Sequence, residues 1–204
     1  MKEENGKKPR QIGVTGGIGS GKSVVCAIFR ALGAPIYEAD TRAKWLVNHD
    51  AILRSDITRL LGPQAYDLGG EYNRTWVAAR VFARPELLQQ LNALIHPRVY
   101  ADTLAWVREQ QGAPYVIKEA ALMSAAGDGN SLDRVVVVEA PLDLRLARIR
   151  RRDPHRTEDE IRNIISRQIS DEARRRLADH LIQNDEIHLL TPQVAALHAS
   201  FCNL

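Results

Sequence analysis

Hydrophobic and polar positions along the chain follow two rhythms. Short apolar runs bounded by turn residues stand at Gln11-Ile12-Gly13-Val14-Thr15, Ala34-Pro35-Ile36-Tyr37, Tyr115-Val116-Ile117-Lys118-Glu119 and Val135-Val136-Val137-Val138. Such runs predict strands, and the unbroken valines predict one buried on both faces, as in a parallel sheet. Leu181-Ile182 before Asn184 predicts a short last strand. Elsewhere the apolar period lengthens to that of a helix. Val24, Val25, Ile28, Phe29 and Leu32 share a face that Gly33 ends, and Val194, Leu197 and Phe201 share one after Thr191-Pro192. Further helices are predicted over 142–152 and after the capping box formed by Thr157 and Glu160.

From about 41 to 112 the pattern is helical and strand-poor. Pieces near 41–48, 50–61, 74–83, 84–94 and 97–111 are separated by Gly62-Pro63, Gly69-Gly70, Pro85 and Pro97. Pro97 thus predicts a break, with His96 extended at the start of a new helix. Strand, loop and helix repeated around a helical insertion read as an α/β fold with a parallel sheet. Residues 1–9 read as a polar tail.

Composition narrows the class. With 204 residues, 45% apolar and 26% charged, the chain is an ordinary globular one, long enough for a sizeable core. No apolar run is long enough to span a bilayer, and the first ten residues carry no secretory signal. Cys26 and Cys202 are too few for a disulfide framework or a zinc site, so a reducing cytosol is the simplest setting. The net charge of +3 is too mild to imply a nucleic-acid partner.

Gly16-Gly17-Ile18-Gly19-Ser20-Gly21-Lys22-Ser23 matches Gly-x-x-x-x-Gly-Lys-Ser, after a predicted strand and before a predicted helix. That arrangement lets backbone N–H groups converge on phosphate oxygens at a helix N-terminus. Gly17 to Val24 are therefore the candidate ATP-phosphate residues. Lys22 reaches the β- and γ-phosphates, and Ser23 is the candidate Mg²⁺ ligand. Asp67-Leu68-Gly69-Gly70 fits a loose Asp-x-x-Gly pattern but reads as a turn, and no Asn-Lys-x-Asp for guanine is present.

Most other residues leave more than one reading. Asp40, at the end of the second predicted strand, is a base for a substrate hydroxyl, a holder of metal water, or a helix N-cap. Glu119 backs an Mg²⁺ site through water or is a surface acid. Arg145, Arg148, Arg150, Arg151, Arg152 and Arg156 are a cationic cover for phosphate, a solvated face or an RNA surface, and Arg148 and Arg152 share a helix face. Arg174-Arg175-Arg176 read as solvated surface. His96 is structural or catalytic.

Taken together, Thr15 through Ser23, Glu38-Ala39-Asp40, Leu91 through Pro97, Arg148-x-x-x-Arg152-Asp153, Arg167-Gln168, Ala178-Asp179 and Asn184 resemble the dephospho-coenzyme A kinase family over nearly all of 11–204. Departures are Val24 where that family often has Thr, Glu38 for its first Asp, and Ala121 and Ala125 where it usually has Pro and Glu. The resemblance implies a P-loop kinase-like three-layer core with a parallel sheet, a helical substrate-binding insertion and a helical lid. The implied divisions are a nucleotide core at 10–40, 113–147 and 176–204, a substrate domain at 41–112 and a lid at 148–175. It implies transfer of the ATP γ-phosphoryl group to the ribose 3′-hydroxyl of dephospho-CoA, the last step of coenzyme A biosynthesis. Lys22, Asp40, Arg148 and Arg152 are then catalytic, with Asp40 as general base, and Asp40 and His96 shape the acceptor site. Expected partners are these small molecules with Mg²⁺, and no nucleic acid or membrane. A cytoplasmic monomer is expected. The alternatives are a P-loop kinase for another small hydroxylated acceptor, or a non-catalytic nucleotide- or RNA-binding regulator.

Overall fold

A computed structural model describes residues 8–82 and 84–204. The first seven residues of the expected polar tail, and residue 83 at the end of the expected 74–83 helix, lie outside the described residues. Contacts divide the chain into two compact units, Met1–Glu38 with Gln110–Leu204, and Ala39–Glu109.

The first unit is built on a five-stranded sheet. Its strands are β1 (Arg10–Gly16), β2 (Ile36–Glu38), β3 (Tyr115–Glu119), β4 (Arg134–Glu139) and β5 (His180–Gln183). They run in the order β2-β3-β1-β4-β5, and every pairing is parallel. Parallel pairing places all the strand C-termini on one edge, so the loop after β1, Glu119 and Glu139 share it.

Alternation along the strands decides what each face meets. Ile12 and Val14, Tyr115 and Ile117, Val136 and Val138, and Ile182 pack against α1 (Lys22–Ala31) and the terminal helix spanning Leu190–Cys202. Phe29, Tyr115 and Phe201 form a ring cluster with centroids 5.4–6.4 Å apart. Such pairs add about 1 kcal/mol each beyond burial. The opposite face carries Gln11, Gly13 and Thr15 of β1. There Met123 lies over Gly13, where a Cβ would come within 2.4 Å of its sulfur. No helix among the described residues is long and apolar enough to cross a membrane.

The second unit is helical. It holds α2 (Ala39–His49), α3 (Ala51–Leu61), a 3₁₀ turn (Pro63–Ala65), α4 (Arg74–Phe82) and α5 (Pro85–Glu109). Leu46, Leu53, Ile57, Val77, Val81 and Leu91 form its core. Asp50 caps α3 by accepting from the N–H groups of Ile52 and Leu53 at 3.0 and 2.9 Å, and Arg98 donates to its other oxygen. Residues 67–71 form the expected turn, with Gly70 N–H donating to the Asp67 carbonyl.

The break expected at Pro97 does not occur. Helix α5 runs through it, and His96 is helical and exposed. Proline removes the donor to the Ala93 carbonyl, yet its fixed φ suits a helix. Leu91, Leu94 and Ile95 before it, and Val99 after it, all belong to the same apolar cluster. Arg98 on Asp50, and Arg42 on Asp102 at 2.7 and 2.8 Å, hold the far half in line. Tertiary packing outweighs the local signal here.

Back in the first unit, β4 leads into α6 (Leu142–Arg152), α7 (Glu158–Ser166) and α8 (Asp171–Arg175), with the Leu190–Cys202 helix as α9. The expected capping box opens α7: Thr157 Oγ1 accepts from Glu160 N–H, and the Glu160 carboxylate accepts from Thr157 N–H.

Candidate active site

The phosphate loop begins where β1 stops. Gly21 is the N-cap of α1, with φ 92° and ψ 24°, and no side chain caps the helix. This left-handed geometry favours glycine. A Cβ at Gly21 would also meet Asn184 Nδ2 at 2.1 Å, so the position is closed to larger residues twice over. Lys22 folds back and donates to the Gly16 carbonyl at 2.9 Å. Ser23 and Val24 are exposed on the first turn of α1. Helix N-terminus, uncapped backbone and lysine together make an anion site suited to a polyphosphate.

Asn184, just past β5, holds the loop from beneath. Its Nδ2 donates to the Ser20 carbonyl at 2.7 Å and its own N–H donates to the Glu139 carbonyl at 2.8 Å. Arg148 donates to Asn184 Oδ1 at 3.1 Å and to its carbonyl at 3.2 Å, and pairs with Glu186 at 3.4 Å. The predicted lid arginine therefore docks beside the phosphate loop. Next to it, the His188 N–H and ring with the Ile187 N–H hold the Asp185 carboxyl down to about 2.

Two acids end the strands on one side of β1, at the edge where the loop begins. Glu38 ends β2 and pairs with Arg30 at 2.6 Å, and Glu119 ends β3, opposite Val14 of β1. Both carboxylates act on Cys26. Burial, then Glu119 and Glu38, push that thiol up to about 12, which leaves it protonated and unreactive. The donors near the loop are hard oxygens, Ser23 Oγ and carboxylate. No group of three or more His, Cys, Asp or Glu side chains among the described residues could hold a metal ion. That set fits Mg²⁺, which takes one or two protein oxygens and completes its shell with nucleotide phosphates.

In the helical unit, Asp40 is exposed in the first turn of α2 and His96 is exposed on α5. Asp40 is the second helical residue, so the N-cap reading gives way to a carboxylate within the positive end of the helix.

The arginine run is largely spent on ion pairs. Arg150 pairs with Glu158, Arg152 with Asp153 at 2.9 Å, and Arg156 with Asp153 at 3.5 Å. Arg174 corrects the expectation of a solvated surface. It is 4% exposed and donates to Asp171 at 2.5 Å and to the Ile169 carbonyl at 3.0 Å. Arg175 binds Glu139 through two bonds, and Arg176 pairs with Glu172 on the surface. Sequence reasoning named Asn184 only as a motif residue. Asn184 carried one signal, a polar residue directly after an apolar strand at the edge where the phosphate loop lies.

A phosphate loop between the central strand and first helix of a parallel 2-3-1-4-5 sheet defines a P-loop kinase fold. Solved structures agree: a Thermus thermophilus protein superposes with TM-score 0.80 at 31% identity, covering 97% of this chain and 99% of that one. A dephospho-CoA kinase from Campylobacter jejuni gives 0.62 at 22% identity over 95% and 98%, and shares the fold. The dephospho-CoA kinase profile matches residues 10–188. A Porphyromonas gingivalis dephospho-CoA kinase is 38% identical over 91% of both chains, and one from Chlorobaculum tepidum is 44% identical over 69% of this chain and 70% of its own. The chain belongs to the dephospho-CoA kinase family.

Proposed function

We propose that this kinase transfers the γ-phosphoryl group of ATP to the ribose 3′-hydroxyl of dephospho-CoA, giving CoA and ADP. The observation that carries this is the complete phosphate loop, shaped by Gly21 and held by Asn184, in a chain that matches the family over 10–188. Residues 17–24 cradle the ATP phosphates, with backbone N–H groups of the loop other than that of Ile18 as donors, and Lys22 leaves the Gly16 carbonyl to meet the β- and γ-phosphates. Ser23 and, through water, Glu119 would hold Mg²⁺, which supplies charge neutralisation on the transferring group. Asp40 orients the acceptor hydroxyl and takes its proton, and His96 shapes the acceptor site. Arg148 and Arg152, at the start of a lid over 148–175, meet charge on the phosphates, and the closed lid keeps water from competing as acceptor. The nucleotide core comprises 10–40, 113–147 and 176–204, and 41–112 is the acceptor domain. The enzyme works as a cytoplasmic monomer, a setting in keeping with its two free cysteines.

The test is ADP release from purified protein with Mg-ATP, with and without dephospho-CoA, and the mass of the product. ADP formed only with the acceptor, and a product heavier by one phosphoryl group, is expected. ATP binding without acceptor-dependent turnover would overturn the assignment of dephospho-CoA.

A further inference from the structure

Ile18 of the phosphate loop is gripped at three points by the stretch of chain from α6 to just before α8. Its N–H donates to Gln168 Oε1 at 3.0 Å. Its carbonyl accepts from Arg145 Nε at 2.9 Å. Its side chain packs on the cluster of Leu146, Ile149 and Ile161, beside Ile165. Neither backbone contact reads the chemistry of Ile18; both fix the orientation of the peptide units on either side of it.

The grip is itself anchored. Arg145 is 2% exposed and donates to both carboxylate oxygens of Asp171, at 2.9 and 3.0 Å, and Arg174 donates to the same carboxylate. Two buried guanidinium groups thus share one acid whose own carboxylate faces solvent, and each buried cation is costly to leave without that partner. Gly17 closes directly over Arg145: a Cβ there would come within 2.4 Å of its guanidinium nitrogen. Gln168 lies between α7 and α8, three residues before Asp171, so the acceptor for Ile18 N–H is tied along the chain to the acid that both arginines share.

We infer that Gln168 is a positioning residue for nucleotide binding. By holding Ile18 N–H it sets the rotation of the peptide entering the loop, and hence the aim of the N–H groups at 19–22. The residues between Asp153 and Gln168 then have a fixed far end on the phosphate loop. This rests on the proposed function only for the identity of the substrates.

The experiment compares wild type with Gln168→Ala and Gln168→Met by calorimetric titration with ATP, by KM for each substrate, and by thermal unfolding. Methionine keeps the volume of glutamine and lacks the acceptor oxygen. Both variants are expected to bind ATP about five- to tenfold more weakly, as for one lost hydrogen bond. KM for dephospho-CoA should stay within about twofold, and the melting temperature within about 2 °C. Unchanged ATP affinity in both variants would overturn the inference. So would a methionine variant that behaves as wild type, since packing alone would then explain Gln168. A loss shared equally by both substrates with a lowered melting temperature would reduce it to a structural residue. If wild type binds ATP without turning over dephospho-CoA, the substrate assignment fails while the titrations still judge Gln168.

Discussion

Asp40 stands exposed in the first turn of α2. Its proposed work is on the acceptor, whereas Lys22 and the loop amides work on ATP. Substituting Asp40→Asn keeps shape and helix contacts and removes the basic oxygen. Turnover should fall by about two orders of magnitude, the usual scale of a lost general base, with ATP affinity nearly unchanged. Parallel measurement of kcat and of ATP binding checks this, and equal losses in both would move Asp40 out of the acceptor role. At this scale the sequence was readable where a motif fixes spacing. Gly16 through Ser23 could be assigned from eight consecutive residues because the chemistry is made by neighbouring backbone. Arg174 could not, because its burial depends on how α8 packs. Its partner Asp171 stands only three residues earlier on the same helix, yet an arginine triplet reads as surface until that helix is folded against the rest of the unit.

Among the helices, Asp50 joins two kinds of structure. It caps α3 through Ile52 and Leu53 and receives Arg98 from α5. Burial alone would raise its pKa, but the Leu53 N–H, Arg98 and the Ile52 N–H together hold it below 3.8. A carboxyl depressed in the folded state binds fewer protons there than in the unfolded chain. Its stabilisation is therefore complete well above pH 3.8 and is lost as pH falls through the folded value. Asp50→Asn keeps a capping oxygen and should cost about 1–3 kcal/mol near neutral pH through the lost charge partner of Arg98. Chemical denaturation from about pH 6 to about pH 3 should show a shallower decline in the variant than in wild type. Element types were largely legible beforehand, since the strand runs and the capping box at Thr157 and Glu160 are local signals. The continuity of α5 was not, because what carries it through Pro97 is contact with residues far earlier in the chain, such as Asp50.

Across the whole chain, the sheet unit is written in two pieces around the contiguous stretch Ala39–Glu109. Among the described residues β1 pairs with β3 and β4, and β2 with β3. During synthesis, then, the first strand and its phosphate loop emerge early and stay without partners until residue 115 and beyond have been made. The last support arrives later still, since Ser20 is held by Asn184. The helical stretch contains its own apolar cluster and every partner named for it above, so it can close while β1 waits. Nascent chains arrested before residue 184 should fail to retain ATP on a pull-down, and chains released at full length should retain it. ATP retained by the shorter chains would place the completion of the loop earlier. The phosphate loop, made before its partners, is thus completed late, which ties nucleotide capture to the arrival of β5 and Asn184.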